Sequence, residues 1–220
     1  MLAFWLALLP IFVRGEGMQV VPLAVFAPAV TDALVHRICA EASAIWESAG
    51  IVFACRRVVS EADADNWPLD IIIDDRRASV ESHGALGWIT FTANRPDRSI
   101  HLSRACADDL VRTTPGLNDK TIASHETLIG RALGRALAHE LGHYLLQSKA
   151  HTSRGLMRRV WSSDDSFAIS RTGFQLTGEQ RAAAFGDLAR NEREAATHTS
   201  SPTTRSLDRN ESRSKPQVGH

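Results

Sequence analysis

Apolar residues change period several times along this chain, and each change marks an element. "VVPLAVF", Val20 to Phe26, is β-branched and predicts a strand. Ala33, Leu34, Ile38, Ala42, Ile45 and Trp46 then recur at steps of three and four, which predicts an amphipathic helix. Gly50 stands where that helix would stop. "IVFACRRVV" and "LDIIID" predict the second and third strands, and the unbroken apolar run of the latter suits a strand buried on both faces. "GALGWITF" and "SIHLS" predict two more, with "TANRPDR" as the turn between them.

The longest pattern runs from about Ser124 to Gln147. Leu128, Ile129, Ala132, Leu133, Ala136, Leu137, Leu141, Leu145 and Leu146 cover so wide an arc that this helix should be central and buried. "WSSDDSFAIS" and "TGFQL" have no clear period and read as irregular. "TGEQRAAAFGDLARNEREAA" predicts a closing helix with Thr177 and Gln180 as a capping box. From Thr197 to His220 almost nothing is apolar, so a disordered tail is expected at 191–220. The order of elements implies α+β or mixed α/β architecture in one domain, here 18–190.

Composition narrows the function classes. Lys plus Arg number 25 and Asp plus Glu number 25, so no basic excess points to nucleic acid. The apolar run Leu2 to Val13 is too short to span a bilayer. It suits the core of a secretory signal over 1–15, although no Lys or Arg precedes it. Secreted or periplasmic location is expected, or cytoplasmic if Met18 is the true start. Cys39, Cys55 and Cys106 form no CxxC pair. In an oxidising compartment they allow one disulfide, by any of three pairings, and one remaining thiol.

The chemistry concentrates in "ALAHELGHYLLQSKAHTSRGLM", Ala136 to Met157. His139 and His143 are four residues apart, so on a helix both imidazoles leave one face about a turn apart and can reach one Zn²⁺. Glu140 follows the first of them and can serve as general base toward water at that ion. A catalytic zinc needs a third protein ligand. His151 is the nearest candidate, on a polar stretch that can turn back to the metal. Glu179 and Glu192 on the closing helix are the alternatives. His101 and His125 share no spacing with the pair and read as structural or surface histidines. Tyr144 reads as a helix-packing residue, and Asp164 with Asp165 is too sparse a set for calcium.

"HELGHYLLQSKAH…GLM" resembles the zinc motif of the metzincin metallopeptidases, HExxHxxGxxH with a downstream Met-turn, and bacterial metallopeptidase-like proteins reading "HELGHYLL…AHS…GLM". The family's glycine would fall at Leu146 and its third histidine at Lys149, so His151 arrives two residues late and the turn at Gln147 to Ala150 has no glycine. The resemblance implies a twisted, mostly parallel sheet with an antiparallel edge strand, a backing helix, a central active-site helix and a C-terminal helix. It implies His139, His143 and His151 as Zn²⁺ ligands, Glu140 as catalytic base and Met157 as the Met-turn residue. It also implies a peptide or protein substrate paired to an edge strand, for which His83 to Phe91 is the candidate, with Ala85, Gly87 and Trp88 in contact. A non-proteolytic zinc module of the same fold is the other reading. No nucleic acid, no membrane span and a monomer by default complete the expectations.

Overall fold

The computed structural model describes residues 18–64, 67–78 and 84–186. The expected signal segment, the expected tail, His83 and Glu192 lie outside them. Strands β1 (Gln19–Phe26), β2 (Ile51–Val58), β3 (Asp70–Asp74), β4 (Gly87–Thr92) and β5 (Arg95–Ser103) form one sheet in the order β2-β1-β3-β5-β4. Every pairing is parallel except β4 with β5. The antiparallel strand is therefore at an edge, as the mixed α/β expectation had it. Residues Asp70 to Ile73 are all buried, in keeping with the continuous apolar run.

Parallel neighbours need a crossover, and helix α1 (Asp32–Trp46) supplies it between β1 and β2. Thr31 caps α1 by accepting from Leu34 N at 3.2 Å. Gly50 follows it with φ of 72°, a left-handed conformation that ends the helix without a Cβ clash. Cys39 on α1 is disulfide-bonded to Cys55 on β2, and Cys106 stays a buried thiol.

Helix α4 (Ile122–Leu145) is the core of the molecule, buried almost continuously from Ile129 to Leu145. It packs on α1, on β4 and β5, and on the short helices α3 (Arg104–Thr113) and α5 (Ser163–Phe167). The approach to α1 is close. A Cβ on Gly134 would lie 2.5 Å from Glu41 Cβ and 2.8 Å from Ile38 O, so only glycine fits. Buried Trp46 donates from Nε1 to Ala138 O at 3.0 Å and stitches the same interface one turn further on.

The elements differ from expectation in three places. The seven-residue turn "TANRPDR" shrinks to Ala93 and Asn94, both left-handed (φ 51° and 64°), because β5 begins at Arg95. Helix α3 has no counterpart in the sequence reading. It starts directly from β5, with Ser103 both ending the strand and capping the helix onto Cys106 N, so no polar break announces it. Within "WSSDDSFAIS", Ser162 and Asp165 form a capping box that turns Ser163–Phe167 into one helical turn. Thr177 and Gln180 cap each other as expected, and the closing helix is described over 178–186.

The disulfide closes a loop of sequence separation 16. Removing it with Cys39→Ala and Cys55→Ala should cost about 3 kcal/mol in a denaturant titration. An unchanged midpoint would show that packing of α1 on β2 alone holds that corner.

Candidate metal centre

Helix geometry places His139 and His143 one turn apart on the same face of α4, with ring centroids 4.7 Å apart. Both are buried. Each gives its Nδ1 to a backbone carbonyl of the segment that follows the helix: His139 to Leu156 O at 2.8 Å, His143 to Ser148 O at 2.7 Å. A carbonyl can only accept, so each Nδ1 carries the proton and each Nε2 presents a lone pair. Those two Nε2 atoms face each other at 3.0 Å. With no proton between them they are not hydrogen-bonded. Two converging lone pairs at that distance repel unless a cation lies between them, and carbonyl-fixed imidazoles are the usual setting for such a cation.

His151 completes the group. Its ring centroid lies 5.3 Å from that of His139 and 4.8 Å from that of His143. One ligand atom from each of the three lies within 4.8 Å of the others, and no other such cluster of His, Cys, Asp or Glu occurs among the described residues. Glu179 is exposed on the closing helix and does not line the cleft over the histidines.

The return to His151 is made without glycine. Gln147 adopts φ of 47°, and its side-chain amide donates to Tyr144 O at 2.6 Å. Ser148 N reaches back to His143 O at 3.2 Å. The chain then closes on itself, with Thr152 N donating to Met157 O at 2.8 Å. Gly155, at φ of 79°, lies so near Gln175 O that a Cβ would come within 2.5 Å of it. This turn delivers Leu156 O to His139 and buries Met157 against Gly142. A Cβ on Gly142 would stand 2.2 Å from Met157 Sδ, so the glycine inside "HELGH" makes room for that methionine.

Glu140 is buried beside these rings and accepts from the backbone amide of Ile89 on β4. Burial pushes its carboxyl up to about 8, and the Ile89 bond only partly opposes this. Burial likewise pushes His139 down to about 4 against the help of Leu156 O. His143 and His151 are lowered too, the first by burial, the second by burial and then by the Arg159 charge. Neutral imidazoles are the form that binds metal.

Above the histidines lies a cleft of about 660 Å³. Gly87 and Trp88 line it from the edge strand β4, and Ala85 from the segment just before that strand. Trp161 lines it opposite, its ring edge-on to His139 at 5.2 Å between centroids.

The other singled-out residues do other work. His101 stacks on Trp88 at 5.1 Å, and His125 faces Leu117 O at 3.0 Å. The Tyr144 hydroxyl donates to Pro68 O at 3.4 Å. Asp165 accepts from Ser162 and faces Arg158, so it is spent on a cap and an ion pair.

Arg135 had no place in the sequence reading. It lies one turn before His139 and is fully buried. Its guanidinium donates to Glu41 Oε1 at 3.0 Å and to the carbonyls of Asp165, Ala168 and Ser170. The signal available was an arginine, one turn after Arg131, within an otherwise apolar helical run.

No family model and no curated protein matches the sequence. Among solved structures, archaemetzincin from Methanopyrus kandleri superposes with a TM-score of 0.50 at 13% identity, over 80% of this chain and 99% of that one. The chain thus shares the fold of archaemetzincin, and at that identity the likeness shows the fold alone. The structure of myroilysin matches at a TM-score of 0.30 and 10% identity, over 76% of this chain and 72% of that one, and carries no argument.

Glu140 gives a stability test in metal-free protein. A carboxyl raised from 4.5 to about 8 on folding stabilises nothing at high pH. The unfolded chain ionises first, so stability falls as pH rises from 4.5 toward 8. Glu140→Gln removes that dependence. Thermal melts should show the variant gaining about 4 kcal/mol over the parent at pH 8 and almost nothing at pH 4. An equal offset at both values would mean that Glu140 is not held uncharged by burial.

Proposed function

We propose that this protein is a zinc-dependent endopeptidase. One observation carries the reading: two carbonyl-fixed imidazoles aim unprotonated Nε2 atoms at one point, with a third histidine beside them. An all-nitrogen set of three neutral histidines suits Zn²⁺ in a catalytic site that keeps a position open. His139, His143 and His151 would hold the ion. When bound, zinc supplies Lewis acidity, polarising a substrate carbonyl and making water easier to deprotonate.

The chain's own groups do the rest. Glu140 stands at the cleft floor, and a carboxylate there takes a proton from attacking water and returns it to the leaving amine. Ile89 N–H orients that carboxylate. The edge strand β4 offers backbone groups to an extended peptide, and the cleft beside Gly87 and Trp88 has room for its side chains. Met157, packed under the two helical histidines against Gly142, is read as the Met-turn residue, a rigid apolar floor for the site. The fold shared with archaemetzincin agrees with this chemistry. No described helix is long and apolar enough to cross a membrane. The Cys39–Cys55 bond favours an oxidising compartment, secreted or periplasmic.

Zinc content and peptide cleavage test the proposal separately. His151→Ala should release zinc on dialysis against a weak chelator, whereas Glu179→Gln should retain it. Zinc kept by the first and lost by the second would move the third ligand to the closing helix. Glu140→Ala should keep stoichiometric zinc yet lose about 10² to 10⁴ of the parent's rate on a mixed peptide library. A parent that binds zinc and cleaves no peptide would favour a binding module of the same fold.

A further inference from the structure

The charges along the cleft are lopsided although the chain as a whole is neutral. Among the described residues three cations line it, Lys149, Arg158 and Arg159, against a single carboxylate, Glu140. They flank the histidines on two sides. Lys149 belongs to the return loop and leans toward the β4–β5 hairpin, with Nζ 3.4 Å from Asn94 Oδ1 and 5.0 Å above the Phe91 ring. Neither contact neutralises it. Arg158 and Arg159 follow Met157 on the other side. Arg158 is partly compensated, its Nη2 lying 2.9 Å from Asp165 Oδ2, while its Nε has no hydrogen-bond partner. Arg159 is exposed, close enough to His151 for its charge to be felt there, and is matched by no ion pair among the described residues.

Elsewhere on the surface several cations are paired with acids. Arg57 pairs with Asp32, Arg76 with Asp74, and both Arg77 and Arg112 with Asp109. Lys149 and Arg159 differ from these in that each reaches the cleft, and neither has an acid beside it among the described residues. A concave site walled by one sign of charge concentrates ligands of the other sign and raises their association rate.

We propose that the cleft selects acidic peptides, with Asp or Glu side chains on either side of the cleaved bond read by Arg159 and Lys149. The inference rests on the peptidase reading for the bond that is cut, but not for the charge that is recognised. A lysine- or arginine-rich peptide would place its cations against these two and is disfavoured.

Three matched peptide series test it, identical except for Asp/Glu, Asn/Gln or Lys at the positions flanking the cleavage site. With the zinc-loaded protein at low salt, kcat/KM should rank acidic above neutral above basic, by about fivefold for each charge recognised. The ranking should collapse as ionic strength approaches about 1 M, where the screening length is about 3 Å. Arg159→Glu and Lys149→Glu should each shift the preference toward the lysine series. Both side chains are exposed, and circular dichroism with zinc content verifies that the variants fold. A carboxylate can also bind the metal directly. The charge reversals separate that case, because they leave the three histidines in place. Equal cleavage of all three series, or an acidic preference untouched by either reversal, overturns the proposal and leaves the peptidase reading standing. If the parent cleaves nothing, binding of the same peptides to it, followed by tryptophan fluorescence, decides instead. Tighter binding of the acidic series that Arg159→Glu abolishes upholds charge recognition without proteolysis, and indifferent binding overturns it.

Discussion

Everything at the site depends on how closely α4 can approach α1. The two helices meet where Gly134 faces Glu41, at a separation that leaves no room for a side chain. That contact lets Arg135 reach Glu41 and lets Trp46 reach the Ala138 carbonyl, fixing α4 in both rotation and height. Once the helix is so fixed, the direction of His139 and His143 follows from its 100° step per residue. A larger residue at position 134 would push the helices apart and swing the histidines with them. The polar site thus owes its geometry to an interface on the opposite side of the same helix.

A second constraint comes from the polar groups that α4 carries into the interior. Buried imidazoles and a buried carboxylate cost free energy unless they find partners. The partners here are mostly backbone: Leu156 O and Ser148 O for the histidines, Ile89 N–H for Glu140. Strand β4 and the return segment therefore do more than wall the cleft. They set which imidazole nitrogen is protonated, and so which presents its lone pair to the other histidines. The glycine of "HELGH" fits the same design, since a side chain at Gly142 would displace the buried Met157 packed against it.

Arg135 links this return segment to the rest of the core. It satisfies three carbonyls between Asp165 and Ser170 while sharing Glu41 with Arg171. A buried pair of this kind adds modest stability relative to an apolar core, because desolvation offsets most of its attraction. Its effect is on position. Segment 158–171 contributes Arg158, Arg159 and Trp161 to the cleft, and its few apolar contacts alone would hold it loosely.

Local patterns in the sequence were enough for the strands, for α1 and for the central, buried character of α4, because each rests on a periodicity that neighbours only reinforce. The pairing of His139 with His143, and Glu140 beside them, was likewise legible, since helix spacing decides it. The rest needed the tertiary structure. Helix α3 is invisible where strand and cap share one residue, Ser103. That His151 and not Glu179 lies beside the two helical histidines depends on Gln147 taking a left-handed turn that its residue type does not favour. The Cys39–Cys55 partnership depends on α1 lying against β2. Arg135 looks out of place in an apolar helix until the carbonyls that surround it are seen. Residue spacing specifies which groups share a face. Only packing decides what that face meets, because the partners come from 5 to 130 residues away along the chain.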